Sequence, residues 1–341
     1  LTRTSSPDPI PTYRLHGYRF AISGSAEFAV KGLADDFAYF AGDIDGMDVR
    51  LQLDLGAPRY EGVPKVEASV YTPRNVVYRS GGVRYLDFGG RGLGVFDPDK
   101  KLFQMTSEDP HLVYEAGYLF LLSQIGQAVD RQGLHRLHAL AMSYQGKAIL
   151  VLLPMGGGKS TLGAALLKRN EVSILSDDSP FIDRHGGSHA FPLRLGLLKG
   201  REHEVPEEHR RLIQRMEFGP KYLVNFSYFA HRVVDRAEPG LLLLGRRTMA
   251  SEGEFRPAGY GECMQALVPN LIIGLGLFQG LEYLLERSGA ELVRKAGLVA
   301  SRARNAHALA RNSKRYVFAM GRDVDRNAGM VVELARRHFG G

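Results

Sequence analysis

The stretch Leu153-Pro154-Met155-Gly156-Gly157-Gly158-Lys159-Ser160-Thr161 decides how the rest of the chain is read. Three successive glycines permit backbone angles closed to other residues and let an anion approach main-chain N–H groups. An apolar run, Lys147 to Leu153, leads into them and predicts a buried strand. A helical pattern follows over Thr161 to Arg169, with Leu162, Ala165 and Leu166 on one face. Strand, glycine turn and helix N-terminus in that order predict a phosphate-binding unit. Gly156, Gly157, Gly158, Lys159, Ser160 and Thr161 would surround the phosphates, with Lys159 reaching the β and γ groups and the Ser160 hydroxyl ligating Mg²⁺. Leu153 stands where the motif G-x-x-x-x-G-K-[ST] has its first glycine.

Downstream, Val172 to Leu175 predicts the next buried strand, and Ser176-Asp177-Asp178 sits at its end. A carboxylate there can hold Mg²⁺, and a second beside it can take the proton of an attacking hydroxyl. Two adjacent carboxylates raise each other's pKa unless a cation neutralises them. Upstream, Leu137 to Met142 predicts a strand joined to the loop strand by a turn at Gln145-Gly146, and His138 opens it. His135, His185 and His189 read as loop or surface residues whose spacing suggests no metal cluster.

Farther out, the pattern divides the chain into an N-terminal β-rich domain, residues 1–108, and a second domain, residues 109–341. In the first, Met47 to Leu55 alternates with Val49, Leu51, Leu53 and Leu55 on one face, and Val66–Tyr71, Val76–Tyr78 and Val83–Phe88 predict short strands. The second opens with a helix over Pro110 to Arg131. Past the acidic pair, strands are predicted at Ala190–Leu198, Tyr222–Phe226 and Gly240–Leu244, and a polar helix over Pro206–Met216. A helical stretch from Cys263 to Arg311 precedes a strand at Tyr316–Met320 and a last segment at Met330–Arg337. The expected fold class is α/β.

Composition narrows the field. The single cysteine, Cys263, excludes an internal disulfide framework and fits a reducing cytosol, so a cytoplasmic location is expected. The longest apolar stretch, Leu271 to Leu285, is broken by glycines and by Glu282 and falls short of the roughly 20 residues of a membrane span. The opening residues, Leu1 to Pro11, read as a loose leader without a signal-peptide pattern. A net charge of +7 without an aromatic-interleaved basic tract argues against nucleic acid as a partner. Arg302, Arg304, Arg311, Lys314 and Arg315 are candidates to meet an acidic substrate or a terminal carboxylate, or else form a solvated helix face.

The histidine, the glycine loop and the Asp-Asp pair together resemble the HPr kinase/phosphorylase family and its wider set of HPr-kinase-like proteins, over about Leu137 to Leu198. The resemblance implies a P-loop, HPr-kinase-like core that uses ATP and Mg²⁺. It implies Lys159 on the phosphates, Ser160 and Asp177 on the metal, and Asp178 as the base for a serine hydroxyl, the two aspartates being exchangeable. For His138 it implies a catalytic or site-organising role, and for the chain a homo-oligomer. Arg326-Asn327 is similar to the family's late Arg-Asn motif. Phe191 to Leu198 keeps an arginine of the family's next strand, Arg194, but lacks its glutamate, which bears on the metal count and on reverse phosphorolysis. The opening Tyr13-Arg14-Leu15-His16-Gly17-Tyr18 looks like HPr-kinase-like proteins of peptide biosynthesis, some of which phosphorylate the C-terminal serine of a lasso-peptide precursor. A peptide or protein serine kinase is therefore the leading expectation. A small-molecule kinase acting on a sugar, cyclitol or amino acid and a non-catalytic nucleotide-binding scaffold stay open.

Overall fold

The computed structural model describes residues 10–197, 204–216, 219–273 and 289–340. Helix and strand occur in near-equal shares, 34% and 35%, which agrees with an α/β chain. It divides into two compact units, Leu1–Ile125 with Gln214–Pro220, and Gly126–Ile213 with Lys221–Gly341.

The first unit is built on β1 (Thr12–Leu15), β2 (Tyr18–Ser23), β3 (Val49–Leu55), β4 (Ala68–Tyr71), β5 (Val76–Ser80), β6 (Val83–Asp87), β7 (Gly92–Asp97) and β8 (Leu102–Ser107). They form one sheet in the order β1-β2-β3-β8-β7-β6-β5-β4. Helix α1 (Glu27–Asp36) makes the crossover that lets β3 run parallel to β2. The alternation read in β3 holds for Val49, Leu51 and Leu53, all buried, and ends at exposed Leu55.

Helix α2 (Pro110–Arg131) has the bounds expected from the sequence, its first turn capped by Asp109, whose carboxylate accepts from the His111 and Leu112 amides. The expected boundary between residues 108 and 109 moves. Most of α2 belongs to the first unit, and the units part at Ile125/Gly126. The reason is packing. Phe120 stacks on Phe103 with ring centroids 4.0 Å apart, and Tyr114 donates a 2.6 Å hydrogen bond to buried Asp36.

The second unit holds the glycine loop. Its strands are β9 (His135–Arg136), β10 (Leu140–Tyr144), β11 (Lys147–Leu152), β12 (Val172–Ser176), β13 (Phe181–Ile182), β14 (Ser188–His189) and β15 (Leu195–Leu197), the greater part of β16 (Arg210–Arg215) and β17 (Gly219–Val224), then β18 (Arg236–Arg247), β19 (Glu254–Pro257) and β20 (Lys314–Met320). Its helices are α3 (Lys159–Leu167), α4 (Phe226–Phe229), α5 (Tyr260–Leu267), α6 (Gly289–Asn312) and α7 (Val324–Phe339). At the centre β11, β18 and β20 run parallel, with Leu241–Leu244 of β18 beside Ile149–Leu152 of β11. Leu162, Ala165 and Leu166 of α3 and Val331, Val332 and Ala335 of α7 cover one face, and α6 packs against β18. Strands covered on both faces need no polar side, which is why the buried stretches Ala148–Leu152 of β11 and Leu241–Leu244 of β18 read as unbroken apolar runs.

Two expected elements take another form. Pro206–Met216 is a 3₁₀ turn, Glu207–His209, followed by β16, not a polar helix. Ile213 is the one buried apolar residue of β16, so no helical stripe exists there, and pairing in the small sheet β15-β17-β16 decides. Among the described residues of the expected strand Ala190–Leu198, Leu195–Leu197 form the strand; before it the Ala190 and Phe191 amides donate to the Asp235 and Leu175 carbonyls, and Pro192 has no amide proton to give a ladder. Residues 1–9 of the leader and most of the apolar run Leu271–Leu285 lie outside the described residues.

Helix α7 extends past the expected Met330–Arg337 at both ends, capped by the Asp323 side chain on the Arg326 amide. Asn327, wholly buried, donates to the Gly321 carbonyl at 2.9 Å and accepts from the Gly321 amide at 3.1 Å, tying α7 to the end of β20. Asn327→Ala would strand both backbone groups in the interior. It is expected to cost about 2–4 kcal/mol, read as a lower urea midpoint with unchanged m-value.

Candidate functional site

The loop between β11 and α3 takes its shape from its glycines. Gly156 and Gly158 sit at φ +75° and +100°, left-handed conformations that other residues rarely adopt. A Cβ at Gly157 would stand 2.9 Å from the Pro154 carbonyl oxygen, too close to fit. Gly158 precedes the first turn of α3, and no side chain caps that turn. Uncapped amides at a helix start are the groups that receive an anion.

Lys159 turns its amine back into the loop. Nζ donates to the Leu153 carbonyl at 2.7 Å and to His138 Nε2 at 2.9 Å, and it lies 3.7 Å from Asp178 Oδ1. Burial pulls the Lys159 pKa down, with Asp178 and Asp177 pulling the other way. An ammonium donating to Nε2 leaves the imidazole proton on Nδ1. That nitrogen faces Asp178 Oδ1 at 3.3 Å, within ion-pair reach but off the alignment of a hydrogen bond.

His138 does not open a strand as expected. It lies in the link between β9 and β10, and its amide donates to the Asn270 carbonyl in the π-helical turn Val268–Ile273. The next amide, of Ala139, donates to the Asp178 carbonyl. These two bonds replace strand pairing and hold the ring between Lys159 and Asp178.

The two aspartates at the end of β12 have separate surroundings. Asp177 is 8% exposed, and its Oδ2 accepts from Ser160 Oγ at 2.8 Å and from the Gly196 amide at 3.2 Å. Its Oδ1 is buried without a hydrogen-bond partner among the described residues. Desolvation raises the Asp177 pKa, against the pull of Lys221. Asp178 has a side chain 53% exposed, at the mouth of the site. Desolvation pushes it up, but His138, Lys159 and Lys221 together bring it below the usual carboxylate range.

All the expected residues, His138, Gly156 to Thr161, Asp177 and Asp178, thus meet at the carboxyl ends of β11 and β12. Thr161 is buried, and its hydroxyl has no hydrogen-bond partner among the described residues. The oxygens of Ser160 and Asp177, including unpartnered Oδ1, are the hard ligands a divalent cation takes. No cluster of three or more His, Cys, Asp or Glu side chains fit for a metal occurs among the described residues, so such a cation would draw its other ligands from phosphate and water.

Two groups escaped the sequence reading. The Gly196 amide carries no side-chain signal, and Lys221 looks like any solvent-facing lysine of a short strand. Two other readings change. His135 is not a surface residue: it is fully buried between Asp130 at 2.7 Å and Ser301 at 2.9 Å. Arg302 is committed to Asp130 at 2.8 Å, and Arg315 stacks on the Tyr260 ring, which removes both from a continuous basic face.

A cavity of about 610 Å³ opens beside the loop, walled by His138, Leu153, Leu244, Arg246, Glu262 and Pro269. That volume suits a small organic ligand. No helix among the described residues is long and apolar enough to cross a membrane. No family model matches the chain, and no curated protein does.

The raised Asp177 pKa has a consequence for stability. Below the unfolded carboxyl pKa, about 3.9, both states carry the proton and Asp177 costs nothing. As pH rises the unfolded chain loses its proton first, so stability falls until Asp177 ionises in the folded state. Asp177→Asn keeps acceptors for Ser160 and Gly196 without the charge. It is expected to raise Tm by roughly 2–4 °C at neutral pH and to give no gain below about pH 4, read by calorimetry across that range.

Proposed function

We propose that the chain is an ATP-dependent kinase that transfers the γ-phosphoryl group to a serine hydroxyl of a peptide or protein. The observation that carries this reading is the division of labour between neighbouring carboxylates at the glycine loop. Asp177 is buried with Ser160, while Asp178 stands exposed at the mouth with His138 and Lys159 beside it. That favours Asp177 as the metal ligand and Asp178 as the group facing the acceptor. The resemblance to HPr-kinase-like proteins supports the same assignment. It extends to a cytoplasmic, oligomeric enzyme and to the C-terminal serine of a lasso-peptide precursor as the acceptor.

Phosphoryl transfer asks mainly for positioning and charge neutralisation. The loop amides and the start of α3 receive the phosphates. Lys159 exchanges its bonds to loop carbonyls for phosphate oxygens. Mg²⁺, held by Ser160 and Asp177, would neutralise charge on the phosphates. The acceptor oxygen bonds to phosphorus as the bond to the leaving ADP oxygen breaks, and Asp178 takes the hydroxyl proton. A carboxylate held below its usual pKa is a weak base, which suits a loose transition state in which the nucleophile needs orientation more than early deprotonation. His138, with Nδ1 3.3 Å from Asp178 Oδ1, flanks that carboxylate and favours its ionised form.

The cavity beside His138 favours a second reading, a small alcohol as acceptor. Both are tested by incubating the protein with ATP, Mg²⁺ and either serine-ending peptides or small alcohols, with mass spectrometry as the readout. Phosphate is expected on peptide. Asp178→Asn should lower transfer by roughly 10²–10⁴-fold while ATP still binds, and Lys159→Ala should lose both. Full transfer by Asp178→Asn would sink its assignment as the base, and phosphate on an alcohol alone would move the acceptor to the second reading.

A further inference from the structure

Lys159 is the cation that the loop motif supplies, yet its amine is engaged on the side of Leu153 and His138. The opposite side, where Ser160 meets Asp177, has a different cation. Lys221 rises from β17, whose neighbour β15 carries Gly196, with Gly196 paired to Leu223 and Leu197 to Tyr222. The Lys221 side chain lies across Gly196: a Cβ there would come within 2.2 Å of both its Cε and its Nζ. The same point is 3.4 Å from Ser160 Oγ, and the Gly196 amide itself binds Asp177 Oδ2 at 3.2 Å. Lys221 is half-buried, and its charge draws down the pKa of both Asp177 and Asp178.

A glycine at 196 is what this arrangement needs, since any larger residue would displace the ammonium. A long cation held beside a serine hydroxyl and an acidic pair, next to uncapped helix amides, has the chemistry to recognise a phosphate oxygen. We propose that Lys221 is a second phosphate-binding lysine, which contacts the terminal phosphate of a nucleoside triphosphate from the side opposite Lys159. The inference rests on the kinase reading and deepens it: the site senses the third phosphate through a residue outside the loop motif. A purely structural Lys221, serving only to balance Asp177, would support ATP and ADP alike.

The test is calorimetric titration of the full chain with ATP and with ADP, each with Mg²⁺. Lys221→Met is expected to weaken ATP roughly ten- to hundredfold while ADP changes by less than about twofold. Lys221→Arg should recover most of the loss. Gly196→Ala should follow Lys221→Met, because its methyl takes the space of Cε and Nζ while the backbone bond to Asp177 remains. Unchanged ATP affinity in Lys221→Met, or equal losses for ATP and ADP, overturns the assignment. Wild-type protein that binds neither nucleotide, or binds both regardless of Lys159→Ala, removes the phosphate-loop reading and this inference with it.

Discussion

A buried ammonium organises the second unit. Lys159 is 7% exposed, and an amine that deep costs several kcal/mol unless its protons find acceptors. They find the Leu153 carbonyl and His138 Nε2, with the Pro154 carbonyl at 3.4 Å and Asp178 at 3.7 Å. Each contact constrains a different part of the site. The carbonyls curl the loop back over its own lysine, which forces left-handed turns that only glycine takes easily. The bond to His138 fixes the imidazole tautomer, and through it the proton that faces Asp178. Loop, histidine and outer aspartate form one electrostatic unit with the ammonium at its centre.

Against that unit, the contrast between Asp177 and Asp178 gains its meaning. Two carboxylates adjacent in sequence repel unless their environments differ. The end of β12 separates them: one turns inward to a hydroxyl and a backbone amide, the other stays at the mouth among cations. Such a separation of environments is how neighbouring acids acquire different jobs. Here it follows from backbone geometry at a strand end, with the Ala139 amide bound to the Asp178 carbonyl and the Ser179 amide bound to Ser176 Oγ.

What could be read in the sequence depended on whether a physical requirement left a mark on residue type. The glycine loop did, because no other residue tolerates those angles. The buried stretches of β11 and β18 did, because burial on both faces demands unbroken apolar runs. Helix α2 was legible to its last residue, since Asp109 caps it and its apolar spacing is regular. That His138, the glycine loop and the Asp177-Asp178 pair lie together in space was legible for the same reason, since all come from one contiguous stretch. Lys221 and the Gly196 amide were not, for they reach the site through the pairing of β15 with β17, and strand pairing leaves no trace in either segment alone. β16 was misread because its charged residues are solvated equally well in helix or strand, so only its partner decides. The domain boundary was misplaced because an apolar helix does not say which core will take it.

The composition of the first unit bears on how this chain can be made and divided. Its residues run to Ile125 and resume at Gln214–Pro220, so the chain crosses between the units three times. A ribosome releases the first hundred or so residues long before that returning segment. The first unit therefore waits for its last piece until nearly two thirds of the chain has emerged. No single cut in the polypeptide yields both units whole, and a fragment ending at Ile125 lacks residues that its own compact unit includes. Maturation here is a matter of sequence order as well as of stability: neither unit is one unbroken stretch, and the unit begun first is completed only after the other is well under way.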